Sequence, residues 1–382
     1  MKIEYWTYFF YSLFILLTIV CSKTLLSYRK DLNNAWLTDM SKPGVHLFLA
    51  SYSLIIGLRY MVGRDYFGYL NWFKELKATG VFPVDNEFGF IFLNKIIAFA
   101  DLHFSVLFIA IALLQIFFIL KAIEKISFLR GWFFFFFFTS LMFFVSMNVM
   151  RQTIAFFIFF YSLNLFLDKR YGLTFLMFVL AMSFHKSIIL MYILLPFLKK
   201  DWFQNVKLQV GILVASVFIF PLFIDRLLEA VTPIINLLGY NYYIENLDYM
   251  DEITKENTAG DGLSIYMFFL IDLVIILYSE TLKKQFQKYN IVAYYNIFFV
   301  GLILSRVFAN NFILARTAEY FIHFRVVILS FLCFYLMVPQ LSGNVIRRAI
   351  VIILSLVMLS FFYKGIYNNA ADCSPFQFVF EQ

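Results

Sequence analysis

The side chains able to hold an anion or move a proton are few in this chain, and the informative ones stand inside or at the edge of apolar sequence. Arg59, Arg64 with Asp65, Arg151 with Gln152, Arg306, and Arg316 with Glu319 are placed in this way. His185 lies with Lys186 and Ser187 between two short apolar stretches. An ionisable group inside a membrane is costly and points to function by default. Arginine suits phosphate, because its planar fork donates two hydrogen bonds at once and keeps its charge. Arg151 and Arg316 also open helical stretches, whose free N–H groups and dipole favour anions. His185 can act as a general base, as an orienting hydrogen-bond partner or as a structural histidine; its place at a helix break favours the first two. The competing reading for Arg59, Arg306 and Arg316 is pairing with an internal carboxylate such as Asp65, Glu319 or Asp272. Arg325, deep in apolar sequence, reads as internally paired or as a packing feature.

His46, His103 and His323 are dispersed along the chain and read as structural, and neither an HExxH nor a DxD pattern occurs. Cys21, Cys333 and Cys373 are far apart and form no CxxC. Neither a metal nor another cofactor is therefore expected.

The elements that must position these residues follow from composition. Of 382 residues, 62% are hydrophobic, 53 are Phe and only 14% are charged. Soluble domains run at roughly 45–50% apolar and about 25% charged. A soluble enzyme, a disordered chain and a nucleic-acid-binding module are excluded, despite the net charge of +7. A spanning helix needs about 20 mostly apolar residues. Candidate segments are 6–21, 45–62, 88–120 (broken near Asp101 and His103), 131–148, 150–167, 171–184, 187–198, 206–224, 264–279, 290–309, 313–338 and 347–363. The six-residue phenylalanine run at 133–138 looks like low complexity but in lipid reads as a bulky apolar helix face.

Lysine and arginine clusters at 23–42, 121–130, 169–170, 199–207, 283–288 and 347–348 mark cytoplasmic loops, whereas the acidic stretch 225–263 reads as a long external loop. Two segments must then be unusual. Segment 88–120 makes a net single crossing, so part of it lies in the interface or is broken. Segment 171–198 goes out and returns, with His185 at its outer apex in a wet cavity. Arg59, Arg64, Arg151, His185, Arg306 and Arg316 all fall at the outer level, which suits a shared anionic ligand. The expected fold class is an all-α polytopic integral membrane protein, one domain over 1–382, with about 11–13 transmembrane or re-entrant helices. The external loop 225–263 is expected to carry an amphipathic helix, followed by a Tyr/Asn/Asp-rich part of the kind that can line a sugar-contacting surface.

Four blocks in order then resemble the EpsG/Wzy-type polysaccharide polymerase family. They are Gly57-Leu58-Arg59 with Val62-Gly63-Arg64-Asp65-Tyr66 and Tyr69; Glu87-Phe88-Gly89-Phe90; Asn148 with Arg151-Gln152 and Ala155; and Ser183-Phe184-His185-Lys186-Ser187. Arg316 with Tyr320 is a weaker C-terminal match, and Arg64 departs from the small or hydroxyl residue usual before the Asp-Tyr pair. The resemblance implies a GT-C-like membrane glycosyltransferase in a bacterial cytoplasmic membrane, facing outward. Such enzymes move a growing glycan from undecaprenyl pyrophosphate to a new lipid-linked repeat unit, building O-antigen, capsule or exopolysaccharide. The implied catalytic residues are His185 and Arg151, with Asp65 as the rival base. Arg59, Arg64, Gln152, Lys186, Arg306, Arg316 and Tyr320 would bind pyrophosphate or sugar. The implied partners are donor and acceptor repeat units, the bilayer and a chain-length regulator protein. A flippase or other transporter and an O-antigen ligase are the alternatives. A membrane O-acetyltransferase would place Arg and His in its first span, which here holds neither.

Overall fold

The computed structural model describes residues 5–26, 28–30, 36–38, 40–83, 87–219, 262–309, 312–338 and 345–380, with isolated positions between 220 and 261. The expected external loop at 225–263 and its amphipathic helix fall almost wholly outside the described residues. The described chain is all-α apart from two antiparallel three-residue strands, β1 (Tyr28–Lys30) and β2 (Trp36–Thr38). Among the described residues, six helices are long and apolar enough to cross a membrane, or seven if one bent pair counts as a span, and shorter apolar helices accompany them.

The chain divides into two compact units. The first comprises Met1–Tyr192 and Met358–Gln382. It is built from α1 (Tyr5–Thr24), α2 (Pro43–Gly57), α3 (Tyr66–Thr79), α4 (Phe88–Phe99), α5 (Ser105–Ala122), α6 (Arg130–Thr139), α7 (Met142–Asn148), α8 (Met150–Leu167) and α9 (Tyr171–Phe184). The short α10 (Ile189–Leu194) follows a single 3-10 turn at Lys186–Ile188. Helix pairs α2/α5, α5/α8, α8/α9 and α1/α6 pack against one another. The phenylalanine run lies inside this packing, not on the lipid face. Of the six rings only Phe135 is not buried, and Phe137 meets Phe143 and Phe157 edge to face. Rings of this size fill the space between helices where hydrophobicity cannot distinguish protein from lipid.

One end of this unit is basic. Arg130 donates to the carbonyl of Leu26 at 3.0 Å, Lys121 pairs with Glu124 at 2.7 Å, and Lys125 pairs with Asp168. α8, with 18 residues, rises about 27 Å from the opposite end to reach it. α9, with 14 residues, returns over about 21 Å and stops at His185, so the hairpin expected for 171–198 has its apex there. Segment 88–120 splits into α4 and α5. Glu87, which precedes α4, lies beside Arg151, while Phe104 and Phe108 pack on Tyr66, the first residue of α3. Both ends of α4 thus lie at the same end of the unit, and α5 alone makes the crossing. α4 exposes an apolar stripe of Phe88, Phe92, Ile96 and Phe99, as a helix lying along lipid would. α3 has no counterpart among the expected elements. It is amphipathic, burying Tyr66, Tyr69, Leu70, Phe73 and Leu76 while Asn71, Lys74 and Glu75 are exposed.

The C-terminal tail completes the unit. Val379 N–H donates to the carbonyl of Leu58 at 2.9 Å, and Tyr60 N–H donates to Gln377 at 2.8 Å. Tyr11 Oη donates to the carbonyl of Cys373 at 2.6 Å. Gly63, at φ 107°, turns the loop so that its N–H reaches Asp372 O at 2.7 Å. Asn148 knits the three strands of chain together. Its Oδ1 accepts from Asp65 N–H at 3.2 Å, and its Nδ2 donates to Ala371 O at 2.9 Å and Phe144 O at 3.1 Å.

The second unit, Ile193–Val357, holds α11 (Val206–Phe218), α12 (Gly262–Gln285), α13 (Ile291–Val307), α14 (Phe312–Ile322), α15 (Phe324–Met337) and the first part of α16 (Val345–Tyr367). The segment expected as one span at 313–338 is long and apolar enough to cross as one, with α14 and α15 adjoining at His323, whose backbone is itself helical. α13 is its buried centre, against α14 and α15. At one end Lys283 is buried, donating to Asp201 at 2.6 Å and to Phe203 O at 2.5 Å, over the Tyr295 ring.

Because Asn148 satisfies backbone groups from two other segments, Asn148→Ala leaves them unpaired at a cost of about 1–3 kcal/mol. Thermal unfolding of the detergent-solubilised protein should show a lowered Tm, and an unchanged Tm would mean the tail is held by its other contacts.

Candidate active site

Three segments meet at the end of the first unit opposite its basic loops. Arg151 is the second residue of α8. His185 follows the last residue of α9 and leaves the helix in an extended conformation (φ −159°, ψ 118°). Glu87 precedes α4. Gly89 lets α4 approach α9. A Cβ at that position would fall 2.3 Å from Ser183 Oγ and 3.0 Å from Ser183 Cβ, so no larger residue fits without displacement. This close approach brings Glu87 beside His185.

Glu87 is the centre. Its Oε1 pairs with His185 Nδ1, and its Oε2 accepts from Arg151 Nη1 at 2.5 Å. Only 4% of the Glu87 side chain is exposed, against 15% for His185 and 22% for Arg151. The Arg151 guanidinium lies 5.1 Å from the Trp72 ring centroid and 5.7 Å from that of Phe90, and the Tyr69 hydroxyl is hydrogen-bonded to it. Arg151 Nε is buried with no hydrogen-bond partner among the described residues.

Burial alone would push the Glu87 carboxyl up. The hydrogen bonds and charges of His185 and Arg151 outweigh it and hold the group below the usual carboxylate range. An ionised carboxylate only accepts, so His185 Nδ1 carries the hydrogen and the ring presents Nε2 as its basic nitrogen. A carboxylate holding an imidazole in this way fixes the tautomer and stabilises the protonated ring, which is the arrangement of a general base and its orienter.

The other expected site residues are distributed differently. Arg59 is 1% exposed and belongs to the fold. It donates to the carbonyls of Val62, Ile56 and Met147 at 3.2, 3.1 and 2.8 Å and lies 4.7 Å from the Phe108 ring. The expectation that it holds pyrophosphate is therefore corrected: its donors are used within the bundle, where a buried guanidinium must find acceptors. Arg64 is half exposed and pairs with Asp372 of the tail at 3.1 Å, so it ties the tail to the loop. Asp65 gives its backbone N–H to Asn148, and no hydrogen bond reaches its carboxylate among the described residues. Gln152 is buried one residue beyond Arg151. Lys186 opens the 3-10 turn after His185.

Arg306, Arg316 and Tyr320 belong to the second unit. Arg306 is paired with Asp272 at 2.8 Å, as the competing reading anticipated, and Arg325 joins the same carboxylate. Arg316 and the buried Tyr320 lie on α14.

The sequence reading placed Glu87 in a motif but not in the site. A lone carboxylate at the threshold of an apolar segment, two residues before a glycine, was the available signal. Tyr69 and Trp72 were not singled out as partners of Arg151, because nothing local shows that α3 lies beside α8.

The fold defines a polytopic all-α membrane protein, with a carboxylate joining a histidine to an arginine at one end of a helical bundle. The chain belongs to the EpsG family, which it matches over residues 45–378. That membership supports a polymerase-type, glycosyltransferase-like role in polysaccharide biosynthesis. No curated protein and no solved structure matches the chain.

Two outcomes test the geometry. Gly89→Ala forces α4 from α9 at a typical overpacking cost of about 1–3 kcal/mol and should depress activity; Ser183→Gly in the same chain should restore part of it, and failure of any rescue would sever Gly89 from the site. Glu87→Gln bears on stability. With its folded pKa lowered, Glu87 contributes stability above the unfolded value of about 4.3, and that contribution is lost as pH falls through the folded value. The Tm gap between wild type and Glu87→Gln should therefore be full at neutral pH and narrow below about pH 4. A gap independent of pH would show that the carboxylate's charge is not what matters.

Proposed function

We propose that this protein is a repeat-unit polymerase of a bacterial surface polysaccharide, working at the outer face of the cytoplasmic membrane on undecaprenyl-pyrophosphate-linked substrates. The observation that carries the reading is Glu87 joining His185 to Arg151 at the bundle end opposite the basic loops. Positively charged loops face the cytoplasm, so that end faces outward.

In this reading a hydroxyl of the incoming lipid-linked unit gives its proton to His185 Nε2. Its oxygen bonds to the anomeric carbon of the growing chain, and the bond from that carbon to the pyrophosphate oxygen breaks. Undecaprenyl pyrophosphate leaves with the electron pair. Glu87 holds the imidazole and stabilises the imidazolium, and such positioned proton transfer is worth about 10²–10⁴-fold. Arg151 is held by Glu87, Tyr69 and the Trp72 ring, and the exposed part of its guanidinium is a donor for the leaving oxygens. A fixed donor of this kind contributes about 3–4 kcal/mol to a charged transition state.

The reading is tested in a host that depends on this gene for its surface glycan. His185→Ala and Arg151→Ala should leave single repeat units on the surface while lipid-linked units accumulate outside. Full-length chains from both variants would refute the site. Accumulation on the cytoplasmic side would identify a flippase, and normal chains left unattached to their final acceptor would identify a ligase.

A further inference from the structure

α3 begins without a cap of its own. Asp65 precedes it, and the Asp65 side chain makes no capping hydrogen bond of the kind that usually fixes a helix entry. The three residues leading into the helix are held from outside instead. Gly63 N–H donates to Asp372 O at 2.7 Å, Arg64 N–H to Ala371 O at 3.0 Å, and Asp65 N–H to Asn148 Oδ1 at 3.2 Å. The Arg64 guanidinium adds its bond to the Asp372 carboxylate at 3.1 Å.

Two successive tail carbonyls thus meet two successive N–H groups. A pleated, extended chain turns successive groups to opposite sides. The tail presents two in a row because Asn369 (φ 51°), Ala371 (φ 58°) and Asp372 (φ 53°) are left-handed. Asn and Asp enter this region with some ease, and alanine rarely does. Such residues persist where their surroundings over-determine them, and they gather at functional sites. Here Asn369 Oδ1 accepts from Ser374 N–H at 2.8 Å, and Cys373 O accepts from Tyr11 Oη at 2.6 Å. Phe376 N–H donates to Thr7 Oγ1 at 3.1 Å, and the Phe376 ring stacks on Phe10 at 4.0 Å. The tail is fixed to α1 by these contacts and holds the entry of α3 from there.

The entry in turn governs what α3 carries. Tyr69 and Trp72, one and two turns into the helix, close over Arg151. A helix of 14 residues is marginal by itself, so its place depends on what it is tied to. At its far end the tie is an exposed pair, Lys77 with Asp101 at 2.5 Å, a kind of contact that contributes little. We propose that the left-handed turn Asn369–Asp372 is a positioning element of the candidate active site, setting α3 so that Tyr69 and Trp72 close over Arg151. Its effect on catalysis rests on the polymerase reading, whereas its effect on α3 and Arg151 does not.

The test uses the full chain purified in nanodiscs. Ala371→Val puts a β-branched residue where the left-handed backbone excludes it, and Ala371→Gly permits the same turn. Asn369→Gly keeps the backbone allowed while deleting the side-chain brace, and so serves if the valine variant fails to fold. Hydrogen exchange read by mass spectrometry follows α3, with α8 as internal reference, and modification by phenylglyoxal follows the accessibility of Arg151. Ala371→Val should speed exchange across 66–79 by about tenfold or more and raise Arg151 modification, with α8 unchanged. Asn369→Gly should do so to a smaller degree, and Ala371→Gly should match wild type. With lipid-linked repeat units supplied, Ala371→Val should lower kcat by about 10- to 10²-fold at a little-changed KM. Adding Trp72→Leu to it should cost little more than Trp72→Leu alone, because both act through Arg151. Unchanged α3 exchange in both Ala371→Val and Asn369→Gly would overturn the proposal, as would a loss of protection shared equally by α3 and α8. Loosened α3 with Arg151 as protected as in wild type would overturn it too, and a wild-type kcat with Arg151 uncovered would remove its role in catalysis. If the wild-type protein joins no units, the polymerase reading fails, and the exchange and phenylglyoxal results still decide the proposal.

Discussion

A carboxylate with 4% of its surface exposed, placed where an apolar helix begins, must be paired or protonated. Glu87 is paired twice, and much of the first unit follows from that requirement. The two partners come from helices running in opposite directions, Arg151 at the start of α8 and His185 at the end of α9, so both helices must end at the same level. α4 must lie close enough to α9 to deliver Glu87, which is why a glycine faces Ser183. α3 must lie along the same end for Tyr69 and Trp72 to close over the arginine. Removing one partner from such a centre leaves an uncompensated buried charge, a loss larger than the pair's net contribution.

The same constraint acts in the second unit with a different outcome. Asp272 is wholly buried and also recruits guanidiniums, but it recruits two. The arginines that break the positive-inside pattern therefore divide by partner: Arg59 serves backbone carbonyls, Arg64 the tail, Arg151 a carboxylate shared with histidine, and Arg306 a carboxylate shared with Arg325.

Much of this was legible in sequence. Hydropathy located the helices, with α8 and α9 placed to the residue, and loop lysines distinguished the two ends. The break at His185 and the split of segment 88–120 followed from requiring the crossings to close. What hydropathy could not show was which apolar faces meet protein and which meet lipid, because both are equally apolar; the phenylalanine run could not be assigned to either for that reason. Nor could it show partners brought in from far along the chain. Asp372 on Arg64, Ala371 on Asn148 and Glu87 on His185 are contacts across 308, 223 and 98 residues. A tail of ordinary polarity gives no sign that it will clasp a loop three hundred residues earlier. Arg59 was misassigned because a buried arginine serving carbonyls looks, in sequence, the same as one awaiting an anion.

Catalysis by the Glu87-held imidazole is most directly tested by reconstitution. Purified protein in nanodiscs, supplied with lipid-linked repeat units extracted from a polymerase-deficient host, is assayed for glycan length and for released undecaprenyl pyrophosphate. Wild type should release one carrier for every linkage formed. His185→Ala should form no linkages, and Glu87→Gln should form them at a rate reduced by roughly 10²-fold or more. Chain growth by His185→Ala at the wild-type rate would contradict the assignment.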